Sequence, residues 1–297
     1  MKKHIIFTGV GTALITPFKN GRVDYASFAR LLTRQIDAGI DAVIVGGTTA
    51  EAATLDDAER YTLFSYAKDI CEGKTKLILG TGTNDTKLAV KHTEYASRLG
   101  CDGVLTVTPY YNKGTKRGVI EHYKKIAEVT HLPIILYNVP ARTGVNLSLD
   151  VIEELMEVDN IVAIKEASDS LDRLVSLCGY GEELGVYAGN DTQAYTTLSL
   201  GGLGVISVVS NVFPKETLDI CKHFFMGERE KSLKEQQRML PVINSLFLDT
   251  NPAPLKYIMG KMGLCSPEMR LPMALPQDEV KVKIDKAFAD YEKNKAI

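Results

Sequence analysis

Eight short apolar runs recur along the 297-residue chain, and each is followed by a longer segment of mixed polarity. The runs cover residues 13–15, 42–45, 77–79, 103–107, 134–137, 161–165, 185–188 and 204–207. They are rich in β-branched residues and continuous rather than alternating, a pattern that predicts strands covered on both faces. The intervening segments read as helices. Residues 84–99 place Leu88, His92, Tyr95, Ala96 and Leu99 at 3–4 spacing, with Asn84 as the predicted N-cap. Thr54-Leu55-Asp56-Asp57 reads as a variant capping box. Pro214 fits a first helical position, and Gly39 and Gly100 fit helix stops. Eight strand–helix units predict a closed (β/α)8 TIM barrel of the α/β class rather than an open doubly wound sheet. An open sheet would typically carry a G-x-G-x-x-G turn after its first strand, which Gly9-Val10-Gly11 does not supply. The units end near Met226. A tail rich in Glu, Lys and Leu follows, with helices predicted over 227–248, 253–262 and 278–291. The expected division is therefore a barrel over 1–226 and a C-terminal helical domain over 227–297.

Charge narrows the function classes. Lys+Arg number 35 and Asp+Glu 37, a net charge of −2, which excludes a sequence-blind nucleic-acid binder. The five cysteines are scattered and form no C-x-x-C, so buried thiols are expected rather than a disulfide framework. The five histidines form no H-x-x-x-H pair and have no nearby cysteine. No metal site built on histidine or thiolate is therefore expected, while one built only from carboxylates stays open. Met1-Lys2-Lys3-His4 and the apolar residues after it faintly resemble a signal peptide. Thr8, Gly9, Gly11 and Thr12 interrupt that stretch and no A-x-A-like site follows, so a first buried strand is expected instead. The longest weakly polar run elsewhere, 201–213, is too short to span a bilayer. A cytoplasmic protein without a membrane partner is expected.

In a barrel of this kind the reactive groups stand at the C-terminal strand ends. Lys165 is the sharpest candidate there. Period-2 alternation puts Ile161, Ala163 and Lys165 on one face, so Lys165 shares the barrel interior if Ala163 does. An ammonium there is costly unless it is paired or deprotonated, and a neutral amine can attack a carbonyl to form a Schiff base. The alternative is an ion pair with Glu166 or another rim acid. Tyr137 alternates with Ile135 and faces inward, either as a proton shuttle or as a core tyrosine with a backbone partner. Thr48 and Thr49 follow two glycines at a strand-to-helix turn suited to a small carboxylate, or simply to capping. Arg142 carries the planar fork that grips carboxylates, or makes a surface salt bridge.

Four segments carry a resemblance: 47–51 (Gly-Thr-Thr-Ala-Glu), 108–112 (Thr-Pro-Tyr-Tyr-Asn), 137–144 (Tyr-Asn-Val-Pro-Ala-Arg-Thr-Gly) and 164–166 (Ile-Lys-Glu). With Asn251-Pro252-Ala253-Pro254-Leu255-Lys256 in the tail, they resemble the dihydrodipicolinate synthase family, from about residue 9 to residue 275. This family of pyruvate-dependent, class I aldolase-like enzymes includes N-acetylneuraminate lyase. The resemblance implies that Lys165 forms a Schiff base with pyruvate. It implies a proton relay of Tyr137, Thr48 and Tyr111, with Tyr111 supplied across a subunit interface. It gives the pyruvate carboxylate to the Thr48–Thr49 turn and the carboxylate of L-aspartate β-semialdehyde to Arg142, with Gly189 and Ile206 lining the pocket. The implied product is 4-hydroxy-tetrahydrodipicolinate, on the path to diaminopimelate and lysine. No metal or organic cofactor is implied, and a homo-oligomer is, a tetramer ahead of a dimer.

Two positions depart from the family. Ala50 stands where the family usually has glycine, which matters only if the backbone there has φ > 0. Lysine-inhibited members use a glutamate one turn after the asparagine matching Asn84, and histidines at the positions of Asp57 and Arg60. Here the glutamate position holds Leu88, while Asn84 and Tyr110 remain, so a degenerate lysine site and weak or absent lysine inhibition are expected. Two rival readings stand beside the synthase. One is a sister lyase or aldolase acting on N-acetylneuraminate or a 2-keto-3-deoxy-sugar acid, which the Arg142-Thr143-Gly144 segment disfavours. The other is a non-catalytic barrel that binds a keto acid.

Overall fold

The structure of the protein is a computed structural model describing residues 3–295. Met1 and Lys2 of the charged N-terminal start, and Ala296 and Ile297 of the tail, lie outside the described residues. The chain forms a closed parallel (β/α)8 barrel. Its strands are β1 (Gly9–Ala13), β4 (Ala42–Val45), β5 (Lys76–Gly80), β6 (Gly103–Val107), β7 (Ile134–Asn138), β8 (Ile161–Glu166), β9 (Gly185–Ala188) and β10 (Gly204–Ser207). β1 closes the ring by pairing with both β10 and β4. A small hairpin, β2 (Phe18–Lys19) and β3 (Arg22–Val23), follows β1. Two apolar layers result. One lies between strands and outer helices, and the other fills the barrel with side chains such as Ile44, Ile78, Ile135, Ala163, Tyr187 and Ile206.

The first strand begins earlier than the apolar run 13–15 predicts. Gly9 and Gly11, which read as interruptions, are strand residues. A methyl group on Gly11 would stand 2.7 Å from Ile44 and 2.8 Å from Phe7, so the missing side chain makes room for the barrel filling. Alternation also slips once, in β8. The register against β7 shifts between Ile134 and Ile135, which face Ile161 and Ala163 in turn. Ile161 therefore packs in the outer layer while Val162 and Ala163 both join the interior. From Ala163 onward the alternation resumes, so Lys165 does point inward with Ala163.

The helical caps follow local hydrogen-bond competition. α2 (Asp57–Cys71) is capped by Asp56 rather than Thr54, in a reciprocal box with Glu59. Thr54 instead gives its hydroxyl to the Glu51 carbonyl in the preceding turn. α3 (Thr86–Leu99) is capped by Asp85, because the Asn84 amide is committed to the Tyr110 carbonyl at 3.2 Å. Gly39 and Gly100 end α1 (Tyr25–Ala38) and α3 in left-handed conformations, as expected. The barrel continues through α4 (Lys116–Glu128), α5 (Pro140–Thr143), α6 (Leu149–Met156), α7 (Leu171–Cys178), α8 (Ala194–Ser199) and α9 (Pro214–Phe225), which Pro214 opens. The tail helices are α10 (Arg229–Ser245), α11 (Ala253–Lys261) and α12 (Asp278–Lys295). α10 packs on α9 and α12, and the segment between α10 and α11 reaches the C-terminal rim of the barrel.

The opposite end of the barrel is sealed by residues ahead of β1. Phe7 stacks on Tyr187 with ring centres 4.4 Å apart, and the buried Tyr187 hydroxyl donates to the Phe7 carbonyl at 2.6 Å. Tyr187→Phe keeps the stack and orphans that carbonyl. It should lower unfolding free energy by about 1–2 kcal/mol, read as a lower urea midpoint at unchanged m. An unchanged midpoint would show that the bond does not brace the seal.

Candidate active site

The C-terminal rim carries the side chains with unusual surroundings. β7 and β8 run side by side, with Tyr137 opposite Lys165 and Asn138 opposite Glu166. The alternation sends the first pair inward and the second outward. Glu166 does not pair with Lys165. Its buried carboxylate accepts from Arg173 Nε at 2.8 Å, from Asn138 Nδ2 and from the Ser168 amide. Lys165 is thus left buried without an ion-pair partner within bonding distance among the described residues, its Nζ 4.4 Å from the centre of the Tyr137 ring. Loss of water pushes its pKa down to about 8, with Asp191 opposing and Arg142 assisting.

Tyr137 is buried against the same space. Burial raises its phenol above the ordinary range, while the Arg142 charge and a side-chain hydrogen bond with Thr48 pull it back. Thr48 opens a single 3-10 turn, Thr48–Ala50, directly after β4. Ala50 lies inside that turn and is absent from the residues with positive φ, so its methyl group is no burden there. The left-handed residue is the next one, Glu51, at φ 53°. Thr49 is buried, and its hydroxyl accepts from Asn251 Nδ2 at 3.0 Å. Arg142, exposed on the short α5, donates to the Asn251 carbonyl at 3.0 Å.

A cavity of about 590 Å³ opens above these groups, walled by Thr48, Tyr137 and Arg142 and, at its far side, by Leu88, His92 and Tyr110. The sequence candidates are not all in its wall. Lys165 lies beneath, behind Tyr137. Gly189 and Ile206 belong to neighbouring strand ends. A methyl group on Gly189 would stand 2.5 Å from Ala167, so only glycine fits that approach. Ile206 is fully buried in the barrel filling. Asn84 braces Tyr110 from behind. Tyr111 points away, 91% exposed, from a left-handed residue at φ 69°.

Four residues gain weight only from the structure. Asp191, after β9, is the buried acid whose charge acts on Lys165. Its carboxylate accepts from the Val208 and Val209 amides at 2.9 and 3.2 Å, and burial raises its pKa. Glu51 and Lys256 form an ion pair with both side chains out of water. Asn251 joins the tail to the Thr49 turn. Asn251 and Lys256 belong to the proline-rich tail segment noted in the sequence, but nothing in spacing shows that it folds back over the rim. No group of three or more His, Cys, Asp or Glu side chains is gathered for a metal ion among the described residues.

Residues 6–290 match the family described as the dihydrodipicolinate synthetase family. The chain is 42% identical over 291 residues to the 4-hydroxy-tetrahydrodipicolinate synthase of Clostridium novyi (strain NT), covering 97% of this chain and 98% of that one. It is 46% identical over 284 residues to the enzyme of the same name from Thermotoga neapolitana, covering 94% and 96%. The solved 4-hydroxy-tetrahydrodipicolinate synthase of the methanotroph Methylacidiphilum fumariolicum SolV superposes with a TM-score of 0.95 at 37% identity, covering 98% of this chain and 97% of that one. Barrel, strand-end residues and likeness over nearly the whole length agree: this chain belongs to the dihydrodipicolinate synthase family.

Proposed function

We propose that this chain is a Schiff-base lyase that condenses pyruvate with L-aspartate β-semialdehyde to give 4-hydroxy-tetrahydrodipicolinate, the entry to diaminopimelate and lysine synthesis. The observation that carries the reading is Lys165: a desolvated amine with no acid bonded to it, beside a phenol, hydroxyls and a guanidinium. An amine with a pKa of about 8 is neutral in about one molecule in ten at pH 7, against about one in three thousand at the ordinary value of 10.5.

In this reading Lys165 Nζ adds to the ketone carbon of pyruvate. Tyr137 passes a proton to the carbinolamine oxygen, which leaves as water, and an iminium remains. Loss of a methyl proton gives an enamine, with the electron pair delocalised onto the Lys165 nitrogen. The enamine carbon bonds to the aldehyde carbon of the second substrate, and the new alkoxide takes up a proton. The substrate amine then displaces Lys165 by transimination, which closes the ring and returns the free lysine. Thr48, which shares a side-chain hydrogen bond with Tyr137, is the next member of the relay, and Tyr111 completes it from a second copy. Thr48 and Thr49 hold the pyruvate carboxylate, Arg142 holds that of the aldehyde, and Gly189 and Ile206 pack the strand ends beneath the cavity. The covalent lysine serves as electron sink, so no metal or organic cofactor takes part.

The exposure of Tyr111 supports a homo-oligomer, because a phenol held out from the rim can serve a neighbouring copy. The resemblance puts a tetramer ahead of a dimer. The barrel over 1–226 carries the chemistry, and the helical 227–297 braces it. We place the reaction in the cytoplasm, in keeping with five cysteines that are all unpaired. No described helix is long and apolar enough to cross a membrane. Lysine feedback is weak in this reading. Leu88 presents no charge, and the three acids lining the cavity are engaged: Glu51 by Lys256, Asp56 by the Glu59 amide, Asp57 by Lys91 and His92.

Borohydride reduction in the presence of pyruvate should add the mass of the reduced adduct to the peptide carrying Lys165. Lys165→Ala should take no label, and the parent should turn over aspartate semialdehyde but not N-acetylneuraminate. An unlabelled parent would falsify the Schiff-base reading. In the same assay, sub-millimolar lysine should leave the rate unchanged, and strong inhibition at that level would contradict the degenerate lysine site.

A further inference from the structure

The tail segment between α10 and α11 does more at the rim than cover it. Asn251 is 5% exposed and touches two of the groups assigned to substrate carboxylates. Its side-chain amide reaches the Thr49 hydroxyl, and its carbonyl receives the Arg142 guanidinium, each at 3.0 Å. The two contacts use different parts of one residue, so substitution of the side chain separates them.

Direction matters at Thr49. An amide nitrogen can only donate, so the Thr49 oxygen must accept from Asn251. That engages a lone pair on the Thr49 oxygen and leaves its proton free for another acceptor, such as a carboxylate seated on the turn beside Thr48, which lines the cavity. A threonine without this neighbour can point its proton at a nearby carbonyl instead. The other side-chain atom of Asn251, Oδ1, is buried and has no partner within the protein.

The segment is itself held down. Five residues on, Lys256 is fully buried, pairs with Glu51 and donates to the Glu268 carbonyl at 2.9 Å. Glu51 ends the turn that contains Thr49, and its second oxygen accepts from the Arg270 amide at 3.1 Å. A charged pair in dry surroundings tolerates little displacement, because separation leaves two uncompensated charges. Turn and tail segment are thus tied at both ends, by Asn251–Thr49 and by Lys256–Glu51.

We infer that Asn251 is a positioning residue for pyruvate, its side-chain amide setting the Thr49 hydroxyl as a donor to the carboxylate. The inference rests on the Schiff-base reading above. It adds that affinity for the keto acid is set from outside the barrel by a residue that does not touch the reacting atoms.

The test is steady-state kinetics of the full-length Asn251→Ala and Asn251→Asp enzymes, with borohydride labelling at saturating pyruvate as the control for Lys165 chemistry. Asn251→Ala should raise the pyruvate KM about tenfold, the worth of one well-placed hydrogen bond, with little change in kcat and full labelling at saturation. Asn251→Asp keeps the shape but can only accept and adds a negative charge, so its pyruvate KM should rise further. The KM for aspartate semialdehyde should move little in either variant, because the carbonyl that receives Arg142 is retained. In a Thr49→Val background the added effect of Asn251→Ala should fall below about twofold, since the amide acts through the hydroxyl. A parent-like pyruvate KM in both variants would overturn the proposal, as would a full tenfold effect without the Thr49 hydroxyl. Loss of the Schiff-base reading would look different, as a parent enzyme that borohydride does not label, and it would take the proposal with it.

Discussion

The site depends on the desolvation of one amine. β8 ends in Lys165 and Glu166, adjacent opposite charges that would neutralise each other in a loop. A strand forbids this, because successive side chains leave on opposite faces. Glu166 is sent outward to Arg173 and Asn138, and Lys165 is sent into the barrel with Tyr137 over it. The buried acid whose charge acts on Lys165, Asp191, accepts from two backbone amides at one carboxylate oxygen and forms no ion pair with the lysine. Burial is then the largest influence on Lys165, and it favours the neutral amine. A lysine salt-bridged to Glu166 would be safer for the fold and useless as a nucleophile.

The rest of the rim can be read as support for that amine and for anions drawn to it. The bulk charge of −2 attracts no anion, so the attraction is local. It comes from the Thr48–Ala50 turn and from Arg142, and both are braced by Asn251. The tail therefore lies over the rim as part of its architecture. A buried Glu51–Lys256 pair is a poor source of net stability, since dehydrating both charges offsets most of their attraction. Its value is geometric: it locks a left-handed residue at the end of the turn.

Much of this was legible in the sequence. Eight β-branched runs and their helices carry the barrel, and period-2 alternation turns Tyr137 and Lys165 inward. The misses have physical causes. Gly9 and Gly11 look like strand breakers, yet Gly11 leaves room for the bulky barrel filling and Gly9 takes a φ of 104° hard against the Asp41 side chain. The bulge at Val162 puts Ile161 outside, an effect of register that one strand read alone does not show. Asn84 and Thr54 are good capping residues committed elsewhere by tertiary bonds, which leaves Asp85 and Asp56 to cap. Ala50 proved harmless because the left-handed position is its neighbour Glu51. The contacts of Asn251 and Lys256 span about two hundred residues of chain, beyond the reach of local pattern.

Lys165 is made reactive by its surroundings, and the pH dependence of imine formation measures that most directly. The rate of imine formation with pyruvate, followed in single turnover, should rise with pH and level off above an apparent pKa near 8. The sign follows from the chemistry, since only the unprotonated amine attacks, and deprotonation becomes complete above that value. A rate that passes through pH 8 without a break and keeps climbing toward the ordinary lysine value of 10.5 would show that burial does not activate Lys165.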